Sequence, residues 1–240
     1  MLFTSTNKVY GALEDVALTP QNGMRYVPAD ASLREHGVDE RRPLDFHSPY
    51  GCSKGAADQY VRDYARCFGL RTVVFRMSCI YGPHQQGNED QGWVAHFMMR
   101  ARARGTLSIF GDGLQVRDVL YVEDLVDALV LAMRNSGTLA GRAFNMGGGP
   151  ANTLSLLELI SWLKEHHSLK PRIQHLRTRT GDQRYYVSDV TAFSEATGWA
   201  PRTSVANGLE GLAHWLDSVE SVTPPGAAAP MVATAAVVAR

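Results

Sequence analysis

Two hydrophobic periods alternate along this chain. Short runs rich in β-branched and aromatic residues, near 2–6, 72–78, 107–110, 116–120, 142–146 and 172–176, predict buried strands. Stretches with apolar residues three and four apart predict helices near 50–68, 91–104, 123–134, 155–166, 189–197 and 205–217. Ser155 and Glu158 have the spacing of a capping box, and Asp189 and Gly198 bracket a further helix. Strands that alternate with helices imply an α/β fold built on a parallel sheet. Residues 12–49 read as a long connection with scattered charge and proline, expected to run over a substrate cleft. Beyond Ser218 the composition shifts to Thr, Pro, Gly, Ala and Val, so 219–240 is expected to be a disordered tail.

Composition narrows the function classes. With 240 residues, 45% of them hydrophobic, the chain can bury a core. Lys plus Arg and Asp plus Glu both number 24, which argues against a nucleic-acid or anionic-membrane surface. No run of 18 apolar residues and no signal peptide is present, so no membrane partner is expected. Cys52, Cys67 and Cys79 lack CxxC spacing, so neither a disulfide framework nor a zinc site is implied, and a reducing cytoplasm fits. His166 and His167 read as a helix terminus rather than metal ligands.

The candidate chemistry centres on Tyr50 and Lys54. Four residues apart on a helix, they share a face and can meet. An ammonium beside a phenol favours the phenolate, so the tyrosine could serve as a base below its free pKa of about 10. Alone the spacing is weak, since an exposed helix pair arises as readily by chance. Upstream, Phe3-Thr4-Ser5-Thr6-Asn7-Lys8-Val9-Tyr10-Gly11 reads as a strand that opens into an active-site turn. Strand-end capping is the bland account of Thr6, and packing that of Tyr10.

Together these segments resemble the extended short-chain dehydrogenase/reductase family, the NAD-dependent sugar epimerases and dehydratases. The resemblance continues through Ser78-Cys79-Ile80-Tyr81-Gly82-Pro83, Gln115-Val116-Arg117-Asp118-Val119 and Arg179-Thr180-Gly181-Asp182-Gln183, and covers about residues 1–218. It implies that Thr6 hydrogen-bonds the reacting sugar oxygen, Tyr50 is the base, and Lys54 tunes Tyr50 and grips the nicotinamide ribose. Ser78 would lie beside the nicotinamide. Asn7, His47, Arg117, Arg179 and Asp182 would contact the nucleotide sugar, with Arg117 forked onto a phosphate. Asn7 and Lys8 stand where 4,6-dehydratases carry acidic residues, which argues against dehydration. Asp45 to Tyr60 and Asp90 to Val94 point to the branch that epimerises CDP-dideoxyhexoses, by transient oxidation to a keto sugar and return of the hydride. Other nucleotide-sugar 4-epimerases or 4,6-dehydratases, or a non-catalytic nucleotide-sugar binder, are the alternatives.

One expected feature is missing. No Gly-x-x-Gly-x-x-Gly follows a strand, so the backbone cradle for the NAD pyrophosphate has no counterpart in this sequence. Gly147-Gly148-Gly149 belongs to a late strand exit. The expected fold is therefore a partial Rossmann-type, doubly wound sheet that lacks its first strands, with Leu2 to Thr6 as an open edge. The Rossmann part is placed at about 1–82 and 120–148, and a small α/β nucleotide-sugar lobe at about 83–119 and 149–218. Weak or no NAD binding by this chain alone follows, and the expected partners are a complementing N-terminal chain or a second copy docked through the outer residues Tyr60, Tyr64 and Phe68.

Overall fold

The computed structural model describes residues 1–222. In chain order its elements are β1 (Leu2–Thr6), β2 (Leu18–Gln21), β3 (Arg25–Pro28), α1 (Ala31–Glu35), α2 (Ser48–Phe68), β4 (Val73–Met77) and β5 (Cys79–Tyr81). There follow α3 (Trp93–Arg102), β6 (Thr106–Phe110), β7 (Val116–Tyr121), α4 (Val122–Arg134), β8 (Arg142–Met146), β9 (Thr153–Ser155) and α5 (Leu156–His167). The last are β10 (Arg172–Leu176), β11 (Tyr185–Tyr186), α6 (Thr191–Thr197) and α7 (Val205–Val222).

The main sheet is three parallel strands in the order β1-β4-β8. Successive side chains in β4 point to opposite faces. Val73 and Phe75 enter a core with Phe144, Met146, Phe193 and Trp199, under α4 and α6. Phe193 meets both Phe75 and Phe144 edge-on, with ring centroids 5.1 and 5.3 Å apart. Each such buried ring contributes about 1.5–3 kcal/mol. Arg76 takes the other face, toward α2. A second core lies under α3, α5 and α7, and β6 and β10 pair in parallel beside it. β7 pairs with β5, β9 and β11, which links the two regions.

Residues 12–49 correct one expectation. They are not a bare connection: β2 and β3 form an antiparallel hairpin, closed by Asn22 and Gly23, both at positive φ, and α1 follows. The hairpin docks through a bond from the Tyr26 amide to the Leu114 carbonyl and one from the Ser155 hydroxyl to the Met24 carbonyl. The proposed tail needs a second correction, because α7 continues to Val222. Residues 223–240 lie outside the described part.

Strand β1 pairs only with β4 among the described residues. The Met1 carbonyl accepts from the Val73 amide, so by alternation Leu2, Thr4 and Thr6 present their backbone groups to the outer edge.

Candidate active site

Thr6 ends β1 and caps the 3₁₀ turn formed by residues 7–10, its hydroxyl accepting from the Lys8 amide at 3.3 Å. The same hydroxyl donates to Asn7 Oδ1 at 3.3 Å, and Asn7 Nδ2 donates to Gln183 Oε1 at 3.2 Å. Gln183 Nε2 returns bonds to the carbonyls of Asn7 and Gly11. The Thr6 turn is thereby fastened to the segment that carries Asp182.

Asp182 is the centre of a charge cluster. Its Oδ1 accepts from Lys8 Nζ at 3.0 Å and from Arg117 Nη2 at 3.1 Å. Arg117, on β7 and nearly buried, also donates to the carbonyls of Val116 and Gln183. Burial alone would raise the Asp182 pKa, but Arg117 and Lys8 outweigh it and hold the carboxyl below its usual range. Burial, and then Arg117, press the Lys8 ammonium below its ordinary value against the pull of Asp182. Arg179 lies over the Phe110 ring, 3.8 Å from its centroid, and pairs with Asp90 at 3.0 Å. A shallow cleft of about 60 Å³ opens beside this cluster, lined by Tyr26, Phe110, Asp112, Gln115, Asp182 and Arg184 among others. Arg184 covers the Tyr26 ring at 4.1 Å, and the Tyr26 hydroxyl donates to Asp112.

The other predicted residues lie on α2 and its approach. Pro49 sits in the first turn, where a missing N–H costs nothing. A Cβ on Gly51 would stand 3.3 Å from the Lys8 carbonyl, so this glycine lets the helix start press against the Thr6 turn. His47 precedes the helix and pairs with Asp45 at 3.1 Å. No hydrogen bond joins Tyr50 to Lys54. Lys54 Nζ donates to the Thr4 carbonyl on the open edge of β1 and stands 4.7 Å from the Phe3 ring centroid. Tyr50 is 46% exposed, and no hydrogen bond reaches its phenol oxygen among the described residues. The physical reason is local: an ammonium on α2 finds an unpaired carbonyl on the edge strand and takes it. Ser78 is likewise occupied, its hydroxyl donating to Asp118, whose carboxyl is wholly buried and raised in pKa by that burial.

Sequence reasoning missed Lys8 and Tyr26 as site residues. Lys8 gave one usable signal, a cation two residues past the strand-end hydroxyl. Tyr26 follows the Asn22-Gly23 hairpin turn, which was legible. A roomier hollow, about 360 Å³, lies elsewhere, on the outer face of α2 between Ala56, Gln59, Tyr60, Asp63 and Arg66. Neither Thr6 nor Asp182 lines it, so its size says nothing about the chemistry.

Comparison with known proteins now bears on this geometry. Residues 1–147 match the NAD dependent epimerase/dehydratase family. The chain belongs to that family. It is 43% identical over 224 residues to CDP-paratose 2-epimerase of Salmonella typhi, an alignment that covers 91% of this chain and 65% of that protein. Among solved structures, UDP-glucose 4-epimerase of Thermotoga maritima with UDP-glucose superposes with a TM-score of 0.73 at 28% identity, covering 91% of this chain and 63% of that one. A dTDP-glucose 4,6-dehydratase of Streptomyces venezuelae with NAD bound gives 0.74 at 25%, covering 93% and 62%. In each case the chain spans less than two thirds of the relative's length. The α/β fold with its parallel Rossmann-like sheet is thus shared with NAD-dependent epimerases and dehydratases.

At the start of α2 the phenol of Tyr50 is exposed and the ammonium of Lys54 is held by the Thr4 carbonyl. The NAD pyrophosphate has no place among the described residues. At Gly147 a Cβ would lie 1.9 Å from Asp118 Oδ2, so that glycine serves close packing against a buried carboxylate, not an open anion cradle. Among the described residues no cluster could hold a metal ion, and no helix is long and apolar enough to cross a membrane.

Proposed function

We propose that this chain carries the sugar-binding and proton-transferring parts of a nucleotide-sugar epimerase that acts on a CDP-sugar of the paratose type. The observation that carries the proposal is one continuous polar seam. It runs from the Thr6 hydroxyl through Asn7 and Gln183 to Arg117, Asp182 and Lys8. Such a seam suits a ligand with a sugar hydroxyl at one end and a diphosphate at the other. The 43% identity to CDP-paratose 2-epimerase supports the choice of sugar and base.

In this reading Thr6 donates to the reacting sugar oxygen and Tyr50 removes its proton. Lys54 leaves the Thr4 carbonyl to face Tyr50 and the nicotinamide ribose. Ser78 borders the nicotinamide, and Asn7 and His47 border the sugar. Arg117 and Arg179 hold the diphosphate, with Asp182 setting their direction until it arrives. When bound, NAD supplies hydride storage, and its pyrophosphate must be cradled by groups other than those described. Free Cys52, Cys67 and Cys79 fit a reducing cytoplasm. The exposed residues Tyr60, Tyr64 and Phe68 on α2 form the face proposed for pairing two copies.

A second reading has its own observation. The capture of Lys54 by Thr4 favours a chain that binds nucleotide sugar without turning it over. Incubation with CDP-paratose and millimolar NAD+, enough to offset weak cofactor binding, followed by NMR for inversion at C2, separates the two. Inversion supports the epimerase. Turnover of a UDP-hexose with silence on CDP-paratose overturns the substrate, and silence on both leaves the binder.

A further inference from the structure

A buried polar chain lies outside the site just described. Asp58 and Arg76 are both almost wholly buried, and they form a two-pronged ion pair, Nε to Oδ2 at 2.9 Å and Nη2 to Oδ1 at 3.1 Å. The remaining prong of the guanidinium, Nη1, donates to the Tyr10 hydroxyl at 3.1 Å. That hydroxyl donates in turn to Asn145 Oδ1 at 2.7 Å, and Asn145 Nδ2 donates to the Val38 carbonyl at 2.7 Å. The Asn145 backbone amide finishes the chain on Glu40 Oε1 at 2.6 Å.

Position gives this network its meaning. Asp58 stands one helical turn beyond Lys54 and two beyond Tyr50, on the same stripe of α2. Tyr10 closes the 3₁₀ turn that begins directly after Thr6. Arg76 lies between them on β4, a central strand of the parallel sheet. One guanidinium therefore touches both the helix that bears Tyr50 and the turn that bears Thr6. A pair of apolar side chains could fill the same volume without the desolvation of two charges, and such replacements are often neutral or stabilising. What apolar packing does not supply is direction. Three hydrogen bonds from a planar fork fix the rotation of α2 and the height of the turn together.

We propose that Arg76 is a positioning residue that registers the Tyr50 helix against the Thr6 turn, with Asp58 and Tyr10 as its two grips. The functional consequence rests on the proton-transfer roles proposed above for Tyr50 and Thr6; the registration itself does not. Burial alone would lower the Arg76 pKa, but the bonds to Asp58 and Tyr10 reverse this, so the grip stays charged across the working range. Tyr10 is pushed up to about 12 by burial, so its hydroxyl keeps its proton.

The test uses the whole chain and three forms of it: wild type, the apolar double variant Asp58→Leu/Arg76→Met, and Tyr10→Phe. Residue-resolved hydrogen exchange is measured at 6–11, at 48–58 and, for reference, at 73–77. The double variant is expected to keep its unfolding midpoint while exchange at 6–11 and 48–58 quickens about 10-fold relative to 73–77. Tyr10→Phe keeps the Asp58 grip, so only 6–11 quickens. In an assay that turns over nucleotide sugar, kcat of the double variant falls about 100-fold with KM nearly unchanged, as misplacement by an ångström would cause. Exchange that rises evenly everywhere, or in step with global stability, overturns the proposal, and so does a double variant with wild-type kcat. If no form turns over nucleotide sugar even at millimolar NAD+, the epimerase assignment falls while the exchange pattern still decides registration.

Discussion

At the Arg117 end of the seam every charge has a partner within the chain, whereas at the Tyr50 end the phenol stands half exposed and its lysine is turned onto a backbone carbonyl. The two ends differ in what completes them. Arg117, Lys8 and Asp182 come from β7, the Thr6 turn and the segment before β11, all packed against one another. Lys54 instead faces the outer edge of β1, where nothing in the described residues pairs with the strand. The fold thus closes its charged cluster internally while Lys54 spends its bond on the exposed edge of β1.

The most severe way to break this comparison is Tyr50→Phe. If Tyr50 is the base, turnover falls about 1,000-fold in the range of general-base contributions, while CDP-sugar binding measured by calorimetry stays. A variant that keeps most of its rate removes the assignment. Next comes Arg117→Met, which leaves Asp182 with Lys8 alone. It is expected to weaken CDP binding by about 2 kcal/mol, roughly 30-fold, through loss of charge-assisted hydrogen bonds. Unchanged affinity would detach the cluster from the nucleotide.

Smaller effects sharpen the contrast. The bond from Lys54 to Thr4 is solvent-accessible, so Lys54→Met is expected to cost under about 1 kcal/mol in thermal stability and to leave CDP affinity as it was. A loss of CDP affinity would show that the two ends are coupled. Two carboxyls should respond to pH in opposite directions. The folded pKa of Asp182 is depressed, so its pairing stabilises the chain above the unfolded value of about 4 and is lost as pH falls through the folded value. Burial raises the folded pKa of Glu40, so that carboxyl costs stability as pH rises through its folded value. Glu40→Gln keeps the acceptor for the Asn145 amide and should raise the midpoint near pH 7 by about 2 °C, with no gain below about pH 4. A gain that persists in acid would contradict the cause given.

The same division marks what the sequence made legible. The β1-β4-β8 sheet and its helices follow from period, and the Ser155 capping box formed as its spacing foretold. Arg117 and Asp182, both named from motifs that carried the family resemblance, stand paired in the structure. The hairpin at 18–28 was missed because Pro20 and scattered charge masked its period, although Asn22-Gly23 marked the turn. Tyr10 was read as packing alone. Its ring does pack, 6.0 Å from Tyr186, but its hydroxyl joins Arg76 to Asn145, residues 66 and 135 positions away. No local pattern announces a partner at that separation. The Lys54 bond to Thr4 was not foreseen for a related reason: helix spacing shows which side chains can meet, not which competing acceptor lies nearer.

Titration of the 240-residue chain, first with CDP and then with NAD+, tests the comparison most directly. The account predicts saturable heat with CDP that is lost in Arg117→Met, and no saturable heat with micromolar NAD+. Micromolar NAD+ binding by a chain that ignores CDP would contradict it.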